Sequence, residues 1–209
     1  VSAPASGTAG VAAEFPVTLK DKYDNLVSNK ANLISVTVTR SSKNTFVMEP
    51  LPSTTPSGTT YVTTILIKTA ASDYDISFYV SGSLIGATIS SFKIVPAAFH
   101  PASSYVETST QVTTTSTAKV DVPVTIVMRD QYKNVLTETP ITSSDYFLYF
   151  ADTDVDPTTS TAKVNALTSS NGRPTFTLSV TGIATGQRLV KFAFGTTTSA
   201  GPHILTVLT

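Results

Sequence analysis

The 209-residue chain contains no cysteine, and only 13% of its residues are charged. The absence of cysteine excludes a disulfide framework, a thiolate metal site and a cysteine nucleophile. The 14 basic and 14 acidic residues balance to a formal charge of zero, which argues against a nucleic-acid partner because such proteins need a basic surface to neutralise phosphates. No apolar run approaches the ~20 residues of a membrane-spanning helix, so no membrane insertion is expected in this segment.

Hydroxyl groups supply the polarity that charged side chains do not. Serine and threonine make up roughly 30% of the chain, whereas charged residues hold about half of their usual share of roughly 25%. This composition favours an extracellular or cell-surface setting, and a cytoplasmic, cytoskeletal setting is the alternative. The chain opens with Val1 rather than methionine, which suggests a segment of a longer protein.

Short runs of alternating apolar and polar residues dominate the first half of the chain. This period of two, enriched in β-branched residues, is typical of half-buried strands in antiparallel sheets, and no stretch sustains the 3.6-residue period of a helix. The predicted strands are EFPVTL (14–19), ISVTVT (34–39), DISFYV (75–80) and FKIV (92–95). Turn-forming residues predict the connections between them, at LPSTTPSGT (51–59), KTAASD (68–73) and VSGSLIG (80–86).

The second half repeats this plan. Its predicted strands are VDVPVTIVM (120–128), DYFLYF (145–150), PTFTLSV (174–180), RLVKFAF (188–194) and GPHILTV (201–207). The sequence therefore predicts an all-β chain of two tandem antiparallel β-sandwich domains, at residues 1–97 and 98–209. The junction near VPAAFHPASS (95–104) contains two prolines, which indicate a short and stiff connection. The first domain lacks a counterpart of SSYVETSTQV (103–112), so its first strand is predicted to be truncated.

A five-residue motif marks the same point in both halves. DKYDN begins at residue 21 and DQYKN at residue 130, which is 109 residues later (130 − 21). Asp can hydrogen-bond the main chain two residues on, and Asn tolerates left-handed backbone. We therefore expect a turn at each copy, with the central tyrosine packed over the end of the sandwich.

The order of these motifs resembles that of filamin-type immunoglobulin-like repeats. The first half reads TAGVAAEFPVTLKDKYDN and then GTTYVTTILIKTAASDYDISFYVSGSLIGATISSFKIV, and most of residues 8–95 follow the family pattern. The second half matches less well. The family's glycine before the turn asparagine is Asp24 or Lys133 here, and its glycine before the sixth-strand tyrosine is Ser72 in the first half. Bacterial invasin-type repeats, to which TSSNGRPTFTL (168–178) is similar, are the alternative family.

No catalytic constellation is apparent in the sequence. A nucleophilic triad needs a histidine base, and the two histidines, His100 and His203, fall in the junction and at the start of the last strand. No nucleophile elbow, phosphate-binding loop or HExxH motif is present. We therefore expect no catalytic residue, no cofactor and no enzymatic activity.

The segment DTDVDP is the one metal-like cluster in the sequence. Asp152, Asp154 and Asp156 alternate as the oxygen ligands of a Ca²⁺ loop do. However, the sixth loop position is Pro157 rather than glycine, and the twelfth is Lys163 rather than glutamate. The favoured interpretation is a solvated acidic loop, and a weak Ca²⁺ site is the alternative.

The run YFLYF places bulky residues on both faces of one predicted strand. If Tyr146, Leu148 and Phe150 face the core, then Phe147 and Tyr149 face outward. These two side chains are either covered by another part of the protein or form a partner-binding face, since exposed apolar patches tend to mark contacts. In filamin-type repeats a peptide adds as an extra strand beside the third and fourth strands, so the resemblance implies Phe147 and Tyr149 as partner-binding residues.

The combined hypothesis is a non-enzymatic, structural or adhesive pair of immunoglobulin-like domains from a larger surface or filament-forming protein. Its expected partners are proteins, including neighbouring domains and other copies of the same protein. The alternative is a cytoplasmic filamin-like scaffold that crosslinks actin and binds peptides by β-augmentation.

Overall fold

The computed structural model describes the backbone of residues 1–42, 45–46, 53–57, 60–107, 110–113, 120–138, 146–150, 163–168, 172–180, 186–194, 197–198 and 203–208. Within these ranges, side-chain environments are described for residues 1–42, 54–57, 60–107, 125–138 and 172–175. The chain divides into two compact units, Val1–Pro96 and Ala97–Thr209. The helical segments of the described ranges are two 3₁₀ turns, Ala31–Leu33 and Pro101–Ser103. No helix in the described part of the chain is long and apolar enough to cross a membrane.

The described strands of the first unit form two sheets. Its described strands are β1 (Ser6–Thr8), β2 (Ala12–Val17), β3 (Ile34–Arg40), β4 (Thr45–Phe46), β5 (Ser53–Ser57), β6 (Thr60–Leu66), β7 (Ala71–Val80), β8 (Ser83–Leu84) and β9 (Ile89–Val95). One sheet has the order β1-β9-β7-β3-β4, with β8 paired to β7, and the other has the order β2-β6-β5. Neighbouring strands are antiparallel except β1, which runs parallel to β9. The predicted all-β fold class is therefore confirmed.

The apolar faces predicted for these strands form the core of the first unit. Phe15 on β2 is fully buried, as are Tyr74, Ile76 and Phe78 on β7. The ring centroid of Phe15 lies 5.7 Å from that of Phe78 and 5.5 Å from that of Phe92, so this ring joins the two sheets. Burial of each of these side chains stabilises the folded state by roughly 1.5–3 kcal/mol. The face of each strand that carries them at every second position therefore turns inward.

The segment 51–59 was predicted to be a loop, and that prediction is wrong. It contains β5, which pairs with β6 along Ser53–Ser57. The β-branched threonines of this segment suit a strand, and the hydroxyl of Thr54 lies 3.1 Å from that of the buried Thr63 on β6. Pro56 is tolerated because β5 is an edge strand, where its missing N–H removes no ladder hydrogen bond.

Two other predicted connections are shorter than expected. β7 begins at Ala71, within the segment 68–73 that was predicted as a loop. The predicted turn at 80–86 is a hairpin between β7 and β8. Its two central residues, Ser81 and Gly82, have positive φ angles of 49° and 81°, as a type I′ hairpin turn requires.

The second unit repeats the pairing of the first. Its described strands are β10 (Tyr105–Val106), β11 (Thr110–Thr113), β12 (Val120–Val127), β13 (Tyr146–Phe150), β14 (Lys163–Thr168), β15 (Thr175–Val180), β16 (Gly186–Phe194), β17 (Thr197–Thr198) and β18 (His203–Leu208). The sheets have the orders β10-β12-β15-β14 and β11-β18-β16-β13, with β17 paired to β16. The pair β12–β15 corresponds to β2–β6, β13–β16 to β3–β7, and the parallel pair β11–β18 to β1–β9.

The glycine that precedes β15 has a steric reason. Gly172 has a φ of 70°, and a Cβ at this position would lie 2.1 Å from the carbonyl oxygen of Leu136. The carbonyl of Gly172 accepts the N–H of Met128 at 2.9 Å, and the carbonyl of Met128 accepts the N–H of Leu136 at 3.0 Å. Three backbone segments therefore meet at a point where only glycine fits.

The two units differ where they begin. In the second unit β10 pairs with β12, and β11 then pairs with β18 in the other sheet. In the first unit β1 takes the place of β11, and the segment before it reaches β2 through a hydrogen bond from the N–H of Ser2 to the carbonyl of Pro16 at 3.1 Å. The outer edge of β2 is therefore less covered in the described structure than the outer edge of β12.

Candidate functional site

The Asp-x-Tyr-x-Asn motif of the first unit closes a turn around one carboxylate. Oδ1 of Asp21 accepts the backbone N–H groups of Tyr23 and Asn25 at 2.8 and 2.9 Å, and Oδ2 accepts the side-chain amide of Asn25 at 3.1 Å. The N–H of Asp21 donates to the carbonyl of Asn25 at 2.9 Å. These hydrogen bonds, first that of the Asn25 side chain and then those of the backbone, lower the pKa of the Asp21 carboxyl group because they favour its charged form.

The second copy repeats this geometry around Asp130. Its Oδ1 accepts the N–H groups of Tyr132 and Asn134 at 2.8 and 2.9 Å, and its Oδ2 accepts the side-chain amide of Asn134 at 2.8 Å. The predicted turn is therefore confirmed at both places. Because Asp and Asn make these contacts in each copy, these two residue types determine the turn.

Two details of the turns differ from the expectation. The left-handed residue is not the asparagine but the residue before it, with φ of 71° at Asp24 and 68° at Lys133, because the asparagine side chain is engaged with the carboxylate. The ring of Tyr23 is not packed over the sandwich: it is 73% exposed, with the Lys22 ammonium 4.7 Å from its centroid. Tyr132 is half-buried. Hydrogen bonds hold the turn, so it does not require packing of the ring.

The two carboxylates differ in burial and in one further hydrogen bond. Asp130 is fully buried, and its Oδ2 also accepts the backbone N–H of Ala97 at 2.9 Å. Asp21 is exposed, and no described residue outside its own turn donates to its carboxylate. The second turn therefore holds the first residue of its unit, whereas the first turn presents the same oxygen to solvent.

The segment that follows Ala97 continues along the end of β12. The N–H of His100 donates to the carbonyl of Arg129 at 2.8 Å, and the N–H of Arg129 donates to the hydroxyl of Ser104 at 2.9 Å. The Ser104 hydroxyl, which is fully buried, donates in turn to the carbonyl of His100 at 3.1 Å. The exposed imidazole of His100 has its Nδ1 2.9 Å from the hydroxyl of Ser103. This histidine is therefore part of a hydrogen-bonded segment that covers a strand end.

A charged cluster that the sequence pattern did not indicate lies where β3 and β7 run side by side. Oδ1 of Asp73 accepts Nε and Nη2 of Arg40 at 2.9 and 2.8 Å. Oδ2 accepts the N–H of Ser42 at 3.2 Å and also its hydroxyl. The hydroxyl of Ser42 and then the guanidinium of Arg40 lower the pKa of Asp73 to about 2. The cluster depends on the register of the two strands, in which Arg40 lies opposite Tyr74.

The predicted partner-binding residues lie on β13, which is the last strand in the order of its sheet. Phe147 is paired with Ala193 and Tyr149 with Lys191. The side chains of both residues lie outside the described part of the structure. In the first unit the counterpart β3 has the short strand β4 on its outer side, so this edge of the sheet is the place where an additional strand pairs.

The predicted metal ligands Asp152, Asp154 and Asp156 lie outside the described residues. Among the residues that the structure does describe, no group of three or more His, Cys, Asp or Glu side chains is placed to hold a metal. His203 begins β18 and is paired with Val190, and its side chain also lies outside the described part.

These features define the class of fold. In the first unit a buried aromatic cluster joins two antiparallel sheets, and the second unit repeats the strand pairing of the first. This is the fold of immunoglobulin-like β-sandwiches. No protein-family model and no curated protein sequence matches the chain.

Three solved structures show what the chain is similar to. The chain is similar to the Escherichia coli adhesin FdeC, with a TM-score of 0.54 and 20% sequence identity over 99% of this chain and 62% of that one. It is also similar to invasin, a bacterial integrin-binding protein, with a TM-score of 0.46 and 15% identity over 98% of this chain and 38% of that one. For Yersinia pseudotuberculosis InvD the TM-score is 0.44 and the identity 18%, over 97% of this chain and 54% of that one. The chain thus spans less than two thirds of each structure. At 20% identity the likeness to FdeC shows the fold alone.

Acid is expected to weaken the first unit through Asp73. The pKa of this carboxyl group in the folded state, about 2, lies below its ordinary value of 3.8, so its contribution to stability is complete above about pH 4 and is lost as the pH falls through about 2. Urea unfolding between these pH values measures the effect, and Asp73→Asn should make the pH dependence shallower. Ser42→Ala removes the largest cause of the shift, so it should raise the carboxyl titration midpoint measured by NMR. An unchanged pH dependence in Asp73→Asn would contradict this account.

Replacing Lys133 with glycine is expected to stabilise the second unit by about 0.5–1 kcal/mol. Left-handed backbone costs a residue with a Cβ roughly 1–2 kcal/mol, and glycine avoids this strain. Glycine also makes the unfolded chain more flexible, which offsets about 0.4–1 kcal/mol of the gain. Lys133→Ala is the matched control, because it removes the charge and keeps the Cβ. Denaturant unfolding should show a gain for the glycine variant alone, and an equal gain in the alanine variant would attribute it to the charge instead.

Proposed function

We propose that the chain is a structural and adhesive segment of a larger extracellular surface protein and that it has no enzymatic activity. The observation that carries this proposal is the similarity to the adhesin FdeC over 99% of the chain. Because the chain spans 62% of that structure, the partners and the adhesive activity of the whole protein are part of the proposal. The partners would be proteins, including neighbouring domains and other copies of the same chain.

The composition of the chain supports this setting. Ser and Thr hydroxyls are the most abundant polar side-chain groups of the chain, which has 13% charged residues and no net charge. The chain contains no cysteine, which is compatible with an oxidising or a reducing compartment and favours neither. Such a segment is suited to a role as a spacer or contact module outside the cell.

We also propose that residues 1–97 and 98–209 are two tandem immunoglobulin-like domains. The repeated strand pairing, the two copies of the Asp turn and the division of the chain after Pro96 support this. In the second unit the N–H of Ala97 is held by Asp130, so the chain is fixed in position as soon as it enters that unit.

The alternative is a filamin-type cytoplasmic scaffold that binds peptides by β-augmentation. The sequence pattern of residues 8–95 supports the filamin-type assignment, and the position of β13 at the end of its sheet supports an added strand. In that case Phe147 and Tyr149 would line the binding edge. The acidic segment with Asp152 remains a weak Ca²⁺ candidate under either function, because its alternating carboxylates fit and its sixth and twelfth loop positions do not.

The location of the protein distinguishes the two functions. An antibody raised against the 209-residue chain should label intact source cells, and protease added to those cells should remove the epitope while an internal protein marker stays intact. If the antibody instead labels the protein only after the cells are lysed, and the protein sediments with actin filaments, the surface proposal is wrong and the scaffold is favoured.

The double variant Phe147→Thr and Tyr149→Thr tests the contact edge on β13. We expect it to keep its unfolding free energy and to weaken self-association or partner binding, measured by sedimentation and by pull-down of a candidate partner. Leu148→Ala is the matched control, because its side chain is predicted to face the core and its truncation should cost about 2–5 kcal/mol. If the double variant is the one that loses stability while association is unchanged, the two rings belong to the core and do not form a contact surface.

A further inference from the structure

The acceptors that fix the start of the second unit have counterparts in the first. Ala97 donates its N–H to Asp130, and Ser104 accepts the N–H of Arg129. With the spacing of 109 between the motifs (130 − 21), the counterparts of Arg129 and Asp130 are Lys20 and Asp21. The isolated bridges support this equivalence. Arg129 pairs with Val135 and Lys20 pairs with Leu26, and these two partners are also 109 residues apart (135 − 26).

The same places are exposed in the first unit. The carboxylate of Asp21 is exposed, whereas that of Asp130 is fully buried. Leu26 is 51% exposed, whereas its counterpart Val135 is half-buried. Among the described residues, Asn25 is the one whose side-chain amide donates to Oδ2 of Asp21. The Oδ2 lone pair that in Asp130 accepts the N–H of Ala97 therefore faces solvent in Asp21.

The chain already approaches this place in the right register. The N–H of Ser2 donates to the carbonyl of Pro16 at 3.1 Å, and the N–H of Glu107 donates to the carbonyl of Thr125 at 2.7 Å. Pro16 and Thr125 are counterparts by the same spacing (125 − 16 = 109). Ser2 therefore corresponds to Glu107, and residues joined to the chain before it would pass along β2 toward the Asp21 turn.

We propose that the edge of β2 and the turn at Asp21 form a docking site for an extended segment that leads into the first unit from a preceding domain of the full-length protein. The segment would be held as Ala97–Tyr105 is held in the second unit. Its recognition chemistry is a backbone N–H donated to Oδ2 of Asp21 and a Ser or Thr hydroxyl that accepts the N–H of Lys20. The inference rests on the proposed tandem organisation and is independent of adhesion and of location.

The test supplies the first unit with the segment that the second unit uses. The sequence VPAAFHPASSY (95–105) is fused directly before Val1 of the 209-residue chain, and amide hydrogen exchange is followed by NMR. We expect the Lys20 amide to exchange about tenfold more slowly, the factor that corresponds to about 1.4 kcal/mol for a hydrogen bond of this kind. The Arg129 amide serves as the internal reference, because its environment is unchanged.

A second fusion carries the same segment with proline at the Ala97 position and alanine at the Ser104 position. It keeps the length and the apolar residues but lacks the N–H donor and the hydroxyl acceptor, so Lys20 exchange should return to the rate of the chain without a fusion. No slowing with the first fusion, or equal slowing with both, would overturn the docking proposal. Either of these results would leave the surface location and the adhesive function untouched, because those are tested on cells.

Discussion

A carboxylate that gathers the N–H groups of its own turn is the interaction on which the architecture of both units depends. Asp21 and Asp130 lie just after β2 and β12, at the points where the chain leaves one sheet and crosses to β3 or β13 in the other. Each accepts two backbone N–H groups of the turn that follows the strand. Hydrogen bonds to a charged acceptor are about twice as strong as neutral ones, so the crossing of the chain starts from a fixed geometry.

The strands of the first unit could be predicted from sequence because a strand's buried face is a local property. Phe15, Tyr74, Ile76 and Phe78 lie at alternate positions, and each is buried as the period of two requires. The strand β5 could not be predicted in the same way. Its Ser and Pro are common in loops while its threonines suit a strand, so propensity leaves the segment undecided. The pairing with β6 makes it a strand.

The candidate sites show the same division between local and long-range information. The hydrogen bonds inside each Asp turn join residues within five positions, and the sequence predicted the one from the main chain two residues on. The pairing of Arg40 with Asp73 joins residues 33 positions apart, and it appears once the register of β3 and β7 is known. The sequence predicts packing of Tyr23 because an aromatic residue in a motif suggests it, whereas hydrogen bonds to the Asp21 carboxylate and within the backbone hold this turn and the ring is exposed.

The difference between the two turns also limits what can cover such a turn. A carboxylate taken out of water must replace its lost hydrogen bonds, and each acceptor site left without a donor costs roughly 1–3 kcal/mol or more. Asp130 is fully buried and meets this requirement with the N–H of Ala97 in addition to the groups of its own turn. Asp21 meets it with solvent. An apolar cover without a donor would therefore be disfavoured at Asp21, and a covering segment has to bring a hydrogen-bond donor to the carboxylate. The backbone N–H of Ala97 is that donor at Asp130, so a segment with a free backbone N–H meets the requirement where an apolar side chain does not.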